Sequence, residues 1–411
     1  MVEKKRNVQK KAEYLLTLFP ALVILGARQC GKTTLAKQLF PNAKYLDLEN
    51  SDHLAELNRD VGFFFKNYPS NLIIDEAQLY PELFQRLRGV IDEQRHTLGR
   101  FIITGSSNPE LLKNVSESLA GRVAILELGT LKANEIAEQP LSDFYKIFAQ
   151  KLNSDCFNAS QYLPLPADTI QKAWLYGGYP EPVLKNNPEA WGFWMEFYRN
   201  TYINRDIAAL FPRLDRLAYQ RFLSVLSQLS GTILNRSHLG RDIEVSEKTI
   251  RDYLCIAEGT FLWRQLPAFE NSAVKSLLKL PKGHLRDSGL LHYLLRYRSQ
   301  EDLLSSPQIG RSFEGFVIEE LLKGLAATHV SAYQAFYYRT RSGVEIDLIL
   351  QGPFGILPIE IKSGLSVDER RLKHLEQFIA EHNLPFGLLI NQADNPKWLS
   401  PHVFQLPVQY L

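Results

Sequence analysis

Along the first third of the chain, short apolar runs alternate with segments whose apolar residues recur three to four positions apart. LFPALVIL (18–25), NLIIDEAQ (71–78) and GRFIITGSSN (99–108) are runs of the first kind, and KYLDLEN (44–50) is a shorter one. TTLAKQLF (33–40) is of the second kind, with Leu35 and Leu39 on one face. The runs predict buried strands and the spaced segments predict helices. Their alternation from Leu22 to Leu128 predicts a doubly wound parallel sheet, an α/β fold.

Farther on the periods change. From about Lys132 to Ala209 the pattern is helical and rich in aromatics, with Trp191, Trp194, Phe197 and Tyr198 expected in a core. AYQRFLSVLSQLSG predicts an amphipathic helix, NRSHLGRDIEV a short second helix with its turn, and SEKTIRDYLCIAEGT a third capped by Ser246. FLWRQLPAFE then reads as a strand. In the last hundred residues SFEGFVIEELLKGL predicts a helix, AFYYRTRSGVEIDLILQG a pair of strands and GILPIEIKSG the next strand.

A length of 411 residues is too great for one core and implies two to three domains. The net charge of +2 leaves any polyanion-binding face to be local. Cys30, Cys156 and Cys255 are far apart and in no metal-ligand spacing, which fits a reducing, cytoplasmic setting without a disulfide framework. The basic start MVEKKRNVQKK followed by AEYLLTLFPALVILGA has the outline of a secretory signal. Glu13 and Pro20 interrupt it, however, and cleavage near Gly26 would discard a core strand. A surface helix followed by the first strand is the reading adopted, and no other run reaches the length of a membrane span.

Chemistry enters at GARQCGKTT (26–34), which follows the first strand and has the form G-x-x-x-x-G-K-T. A buried strand, a glycine-rich turn and a helix start together form a phosphate-binding loop. Gly26, Ala27, Arg28, Gln29, Cys30, Gly31 and Thr34 supply the backbone cradle, Lys32 reaches the β and γ phosphates, and Thr33 ligates magnesium. Asp75 and Glu76 end the apolar strand of NLIIDEAQ, where one carboxylate serves the metal and the other the attacking water. Thr104, Ser106 or Asn108 could sense the γ phosphate, while Ser107 or Asn108 could equally cap the segment PELLKNV. Arg122 has two readings, an arginine finger for a neighbouring subunit or a surface salt bridge.

Taken together, GARQCGKTTL, YLDLEN, LIIDEAQ, FIITGSSNPELL, SLAGRVAILEL, YGGYPEP, TYINRDI, KLPKGHLRDSGLLHYLL, SFEGFVIEELL, VEIDLIL and IEIKSG make nearly the whole chain resemble the AAA-type (AAA+) ATPases of bacteria and archaea that carry an uncharacterised C-terminal domain. The resemblance implies a P-loop ATPase core with a parallel sheet (1–131), a helical lid and connector (132–215), a winged-helix-like module (216–298) and a domain similar to restriction-type PD-(D/E)XK nucleases (299–411). The phosphate loop and its acids point to ATP and magnesium as cofactors, the winged-helix and nuclease-like segments to DNA as a partner, and the arginine-finger reading of Arg122 to a homo-oligomer. By analogy a lid arginine, Arg205, touches the nucleotide phosphates; the alternative is an ion pair within the helix. If the third helix of 216–269 enters a major groove, Lys248, Thr249 and Arg251 lie at its leading end. Glu244, Glu247 and Asp252 favour a protein-packing role instead.

The C-terminal strands suggest a second reaction centre. Glu360 and Lys362, two apart, share a strand face, and the paired strand brings Asp347 alongside. Two carboxylates and an ammonium in this arrangement suit phosphodiester hydrolysis, with magnesium or manganese on Asp347, Glu360 and a helix carboxylate, either Glu314 or Glu319, of which Glu314 is preferred. The competing reading is a salt-bridge cluster in an inert nuclease fold. Arg339 and Arg341, beside Tyr337 and Tyr338, could contact a DNA backbone or form a solvated strand edge.

Overall fold

The computed structural model describes residues 4–106, 117–157, 162–211, 214–270, 272, 276, 279–340, 342–365 and 369–411. Ser107, Asn108, PELLKNV and Arg341 lie outside the described residues. The chain divides into two compact units. The first comprises residues 1–131, Tyr179–Glu181 and Cys255–Leu262, and the second comprises Lys132–Gly178, Pro182–Leu254 and Trp263–Leu411.

The first unit is a five-stranded parallel sheet of β1 (Ala21–Gly26), β2 (Lys44–Asp47), β3 (Leu72–Asp75), β4 (Phe101–Ser106) and β5 (Val123–Glu127), in the order β2-β3-β4-β1-β5. Strands β1, β3 and β4 are buried at every position, as unbroken apolar runs require in a sheet covered on both faces. At the edge, β5 alternates between buried and exposed residues and leaves Ile125 half-exposed. A helix over Gln9–Leu16 precedes β1, where the sequence predicts a surface helix.

The second unit contains two sheets. Strands β6 (Thr232–Ile233), β7 (Trp263–Leu266) and β8 (Lys282–Leu285) form an antiparallel sheet in the order β6-β8-β7. Helices Arg216–Gln228, Arg236–Asp242 and Glu247–Gly259 precede β7 in the chain. The Ser246 hydroxyl accepts from the Thr249 amide at 3.1 Å, the cap expected for the third helix. The larger sheet runs β13 (Lys397–Ser400), β14 (Val403–Pro407), β12 (Gly387–Asn391), β11 (Gly355–Ile361), β10 (Glu345–Gly352) and β9 (Gln334–Arg339) in spatial order. Strands β9, β10 and β11 are antiparallel, whereas β11, β12 and β14 are parallel. The helix Ile309–Ala327 is buried along most of its length.

One core of this unit crosses the expected boundaries at 215 and 298. Phe144, Tyr145, Phe148, Phe157 and Trp174, from the stretch read as the start of a lid, pack with Phe313, Leu321, Phe354 and Phe404. Lys132 is buried with Glu320 at 3.4 Å. The physical reason lies in the aromatics, which supply large apolar area to whichever sheet face is left uncovered. Trp191, Trp194 and Tyr198 are buried as expected, but Phe197 is 64% exposed. The buried three recur at i, i+3 and i+7 on the helix Pro188–Tyr198, and Phe197 falls at the flank of that stripe. Tyr337 is buried too, its hydroxyl donating to Leu280 O at 2.6 Å, so it presents no ring to a ligand. Among the described residues no helix is long and apolar enough to cross a membrane.

Candidate active site

The loop between β1 and the helix Lys32–Leu39 is shaped by glycines at two points. Gly31 has φ +100°, and a side chain on Gly26 would meet the Leu128 carbonyl oxygen at 2.2 Å. The helix has no acidic residue in its first turn, so the positive end of its dipole is not offset locally. Lys32 is buried and turns back on the loop, its Nζ donating to Gly26 O at 3.2 Å and Ala27 O at 2.9 Å. A residue that the sequence pattern does not single out holds the loop from outside. The Arg6 guanidinium donates to Cys30 O at 2.8 Å and Gly129 O at 2.7 Å, tying loop and β5 exit together. A Cβ on Gly31 would lie 3.5 Å from Arg6 and 3.9 Å from Pro180, so the 179–181 stretch also borders the loop.

Strand β3 delivers the carboxylates beside it. Asp75 Oδ2 accepts from Thr33 Oγ1 at 2.8 Å and from the Tyr45 hydroxyl at 2.5 Å, and Oδ1 accepts from Thr104. Tyr45 comes from β2, whose register sets it opposite Ile73 and Asp47 opposite Asp75. Burial, then the Asp75 carboxylate, push the Tyr45 phenol far above its ordinary range, so it stays a donor. Glu76 lies just past the strand at φ +54°. Its Oε2 accepts from Gln78 Nε2 at 2.5 Å and Ser106 Oγ at 3.1 Å. The partners of both carboxylates among the described residues are thus neutral hydroxyls and amides.

The second unit brings Glu314, Asp347, Glu360 and Lys362 together, but with company. The Ile361 amide donates to Asp347 Oδ2 at 2.8 Å across the β10–β11 pair, and Lys362 Nζ lies 2.8 Å from Glu360 Oε1. From β8, Lys282 Nζ reaches Glu314 at 2.7 Å, Glu345 at 3.0 Å and Asp347 at 3.7 Å. Arg371 lies 3.6 Å from Glu360. Burial lifts Glu314 to about 8 against the pull of Lys282. Burial and the Asp347 charge lift Glu360 to about 8 against Lys362. Burial acts to lower Lys282, yet Glu314, Asp347 and Glu345 together raise it and keep it an ammonium. Glu319, the other helix carboxylate considered, stands apart from this cluster. It pairs with Arg264, His284 at 3.0 Å and Arg286 at 3.4 Å. Burial acts to raise it, but Arg264, Arg286 and His284 hold it well below the usual carboxylate range.

With this geometry in view, three family models match the chain: an AAA domain over residues 18–137, a domain of unknown function (DUF8612) over 167–301, and another (DUF4143) over 309–411. The first unit is similar to AAA-type ATPases. Uncharacterized proteins of Mycobacterium tuberculosis (strain ATCC 25618 / H37Rv) and Mycobacterium bovis (strain ATCC BAA-935 / AF2122/97) are each 29% identical over 353 residues, spanning 85% of this chain and 72% of theirs. Among solved structures, the Walker-type ATPase paby2304 of Pyrococcus abyssi aligns over 72% of this chain and 99% of its own, at 15% identity and a TM-score of 0.41.

Two arginines expected at the ATPase site sit differently from each other. Arg122 is paired within its own unit, its Nε 2.7 Å and a terminal nitrogen 2.8 Å from the Asp92 carboxylate. Arg205, in a π-helical turn over Arg199–Asp206, is mostly exposed and lies 2.9 Å from Asp206, its neighbour in sequence. Arg6, Tyr45, Gln78, Lys282, Glu345 and Arg371 are among the participants that sequence reasoning passed over. Arg6 is one cation within a basic run, and nothing in its spacing separates it from its exposed neighbours. Tyr45 could be found only from the register of β2 on β3.

Proposed function

We propose that this protein is a magnesium-dependent ATPase whose second unit engages DNA. The observation that carries the first half is the meeting of Thr33 Oγ1 and Asp75 Oδ2 at 2.8 Å beside Glu76, two hard oxygen donors with only neutral partners. They fit a magnesium ion, which when bound would offset charge on the β and γ phosphates. Lys32 and the amides of residues 26–34 would hold the triphosphate, Lys32 exchanging its two carbonyl contacts for phosphate oxygens. Ser106 and Gln78 anchor Glu76 through Oε2, leaving Oε1 to orient the attacking water and take its proton.

Replacing Glu76 with Gln keeps the shape of that side chain and removes its basicity. Glu76→Gln should therefore bind ATP like the parent while turnover falls by roughly 10²–10⁴-fold. Turnover that stays at the parent level would overturn the assignment.

The DNA half rests on a capped helix that follows a shorter helix and leads to a three-stranded antiparallel sheet, the arrangement of a winged helix. Lys248 and Arg251 are exposed in its first turns, although Glu247 and Asp252 are exposed beside them. The paired change Lys248→Ala/Arg251→Ala should weaken duplex binding and flatten its salt dependence, by about 0.9 in slope per lost phosphate contact. A protein-packing role predicts no change in either. In an oligomer, Arg122 would leave Asp92 to serve a neighbour's nucleotide, and mixing Arg122→Ala with Glu76→Gln chains should then restore activity.

A second reading, an ATP-dependent switch with an inert nuclease-like fold, is favoured by Lys282 standing among the C-terminal carboxylates.

A further inference from the structure

The metal that the nuclease resemblance implies does not fit the C-terminal cluster as the side chains stand. A metal site of this kind needs carboxylate oxygens turned toward a shared vacancy. Here Lys282 occupies the centre, its Nζ within 4 Å of Glu314, Glu345 and Asp347 at once, and its side chain is 5% exposed. Lys362 and Arg371 take Glu360 from the other side. Four carboxylates meet three basic groups, and among the described residues no group of three or more His, Cys, Asp and Glu is disposed to hold a metal ion.

The source of Lys282 matters. It begins β8, the central strand of the small sheet, and Lys282 and His284 share one face because they are two apart. That face meets the helix Ile309–Ala327: Lys282 bonds Glu314, and His284 bonds Glu319 one and a half turns farther along. Arg264, opposite His284 in the β7–β8 register, joins it on Glu319. The cation is therefore supplied by a separate sheet to acids on a helix, Glu314, and on β10, Glu345 and Asp347.

We propose that the Lys282 ammonium is the resident cation of the Glu314, Glu345 and Asp347 cluster, and that it and a divalent metal exclude one another there. The nuclease-like fold is then charge-satisfied without metal, and its carboxylates act as the socket that fixes the β6-β8-β7 sheet. This inference rests on the C-terminal geometry and stands whether or not the chain hydrolyses ATP.

The test is manganese binding, followed by the spectroscopic signal of the free ion, in full-length chains that all carry Asp75→Asn to silence the P-loop. The chain with Lys282 intact should take up no manganese that a further Asp347→Asn removes. Lys282→Met should gain a site at least about tenfold tighter, lost again with Asp347→Asn, whereas Lys282→Arg should gain none. Asp347-dependent binding with Lys282 intact, or no gain in a folded Lys282→Met chain, overturns the proposal. Should Lys282→Met fail to fold, its stability is compared with Lys282→Met/Glu314→Gln, which removes one charge of each sign. The proposal expects the paired change to restore folding in part, because it removes one of the acids left unmatched when the ammonium is lost. A pair no more stable than the single change overturns it.

Discussion

Asp75 with Glu76 in the first unit and Glu314 with Asp347 and Glu360 in the second are both groups of acids at strand ends and helix faces, yet their neighbours are of opposite kinds. Around the first pair stand Thr33, Tyr45, Thr104, Ser106 and Gln78, which donate hydrogen bonds but carry no charge. Around the second stand Lys282, Lys362 and Arg371. Neutral donors orient a carboxylate and leave its charge to be met from outside, which is what a cation-binding site requires. Ammonium and guanidinium groups meet the charge internally, and burial makes that pairing hard to exchange. The same residue types in the same strand pattern can therefore make a reaction centre or a clasp, depending on what faces them.

The sharpest way to break this comparison is to neutralise one acid in each region. Asp75→Asn should lower magnesium-dependent ATP turnover by about 10²-fold or more, because a ligand that offsets charge at the phosphates is lost. Asp347→Asn should leave turnover at the parent level. Equal losses in the two variants, measured by phosphate release, would erase the distinction.

Next in size is Glu319, which tests how far the clasp extends along the helix. Glu319→Gln removes the buried charge that Arg264, His284 and Arg286 face together and should cost about 3–5 kcal/mol, read from the denaturant midpoint of the second unit. A loss too small to resolve would mean that the β8–helix contact does not depend on the Glu319 charge.

A smaller effect depends on pH. His292 is buried between Leu175 O at 2.8 Å and Ser312 Oγ at 2.6 Å, and burial lowers it from 6.5 to about 4. The unfolded chain then binds more protons than the folded one between these values. The contribution is present in full above about pH 6.5 and is lost as pH falls toward 4, a change on the order of 2–3 kcal/mol. His292→Gln should flatten the pH dependence of stability in that window. An unchanged slope would place the titration elsewhere. Smallest of all, Arg122→Ala should leave the thermal midpoint nearly unmoved, because its partner Asp92 is exposed. A large drop would give Arg122 a structural role in the first unit.

Much of the first unit was legible because its signals are local. A strand buried on both faces must be apolar throughout, and a loop that wraps phosphates favours glycine where the backbone turns most sharply, as at Gly31, so LFPALVILGARQCGKTT predicts both β1 and the loop. The apolar run of GRFIITGSSN likewise marks a buried strand, and it forms β4, which pairs with β3. The segment 132–178 was less legible. Its aromatics announce burial but not the surface they are buried against, and they joined the C-terminal core.

What the sequence by itself determined is the set of elements and the chemistry each can carry: the parallel sheet, the phosphate loop, the two acids at the end of β3, and the strand pair that brings Asp347 beside Glu360. These follow from short-range periodicity and the preferences of a few residues. What only the tertiary structure decided is which charges meet. Lys282 lies 32 residues before Glu314 and 65 before Asp347 along the chain, and no period connects them. They meet because β8 docks on a helix, and Coulomb attraction between buried groups depends on distance in space and on the exclusion of water.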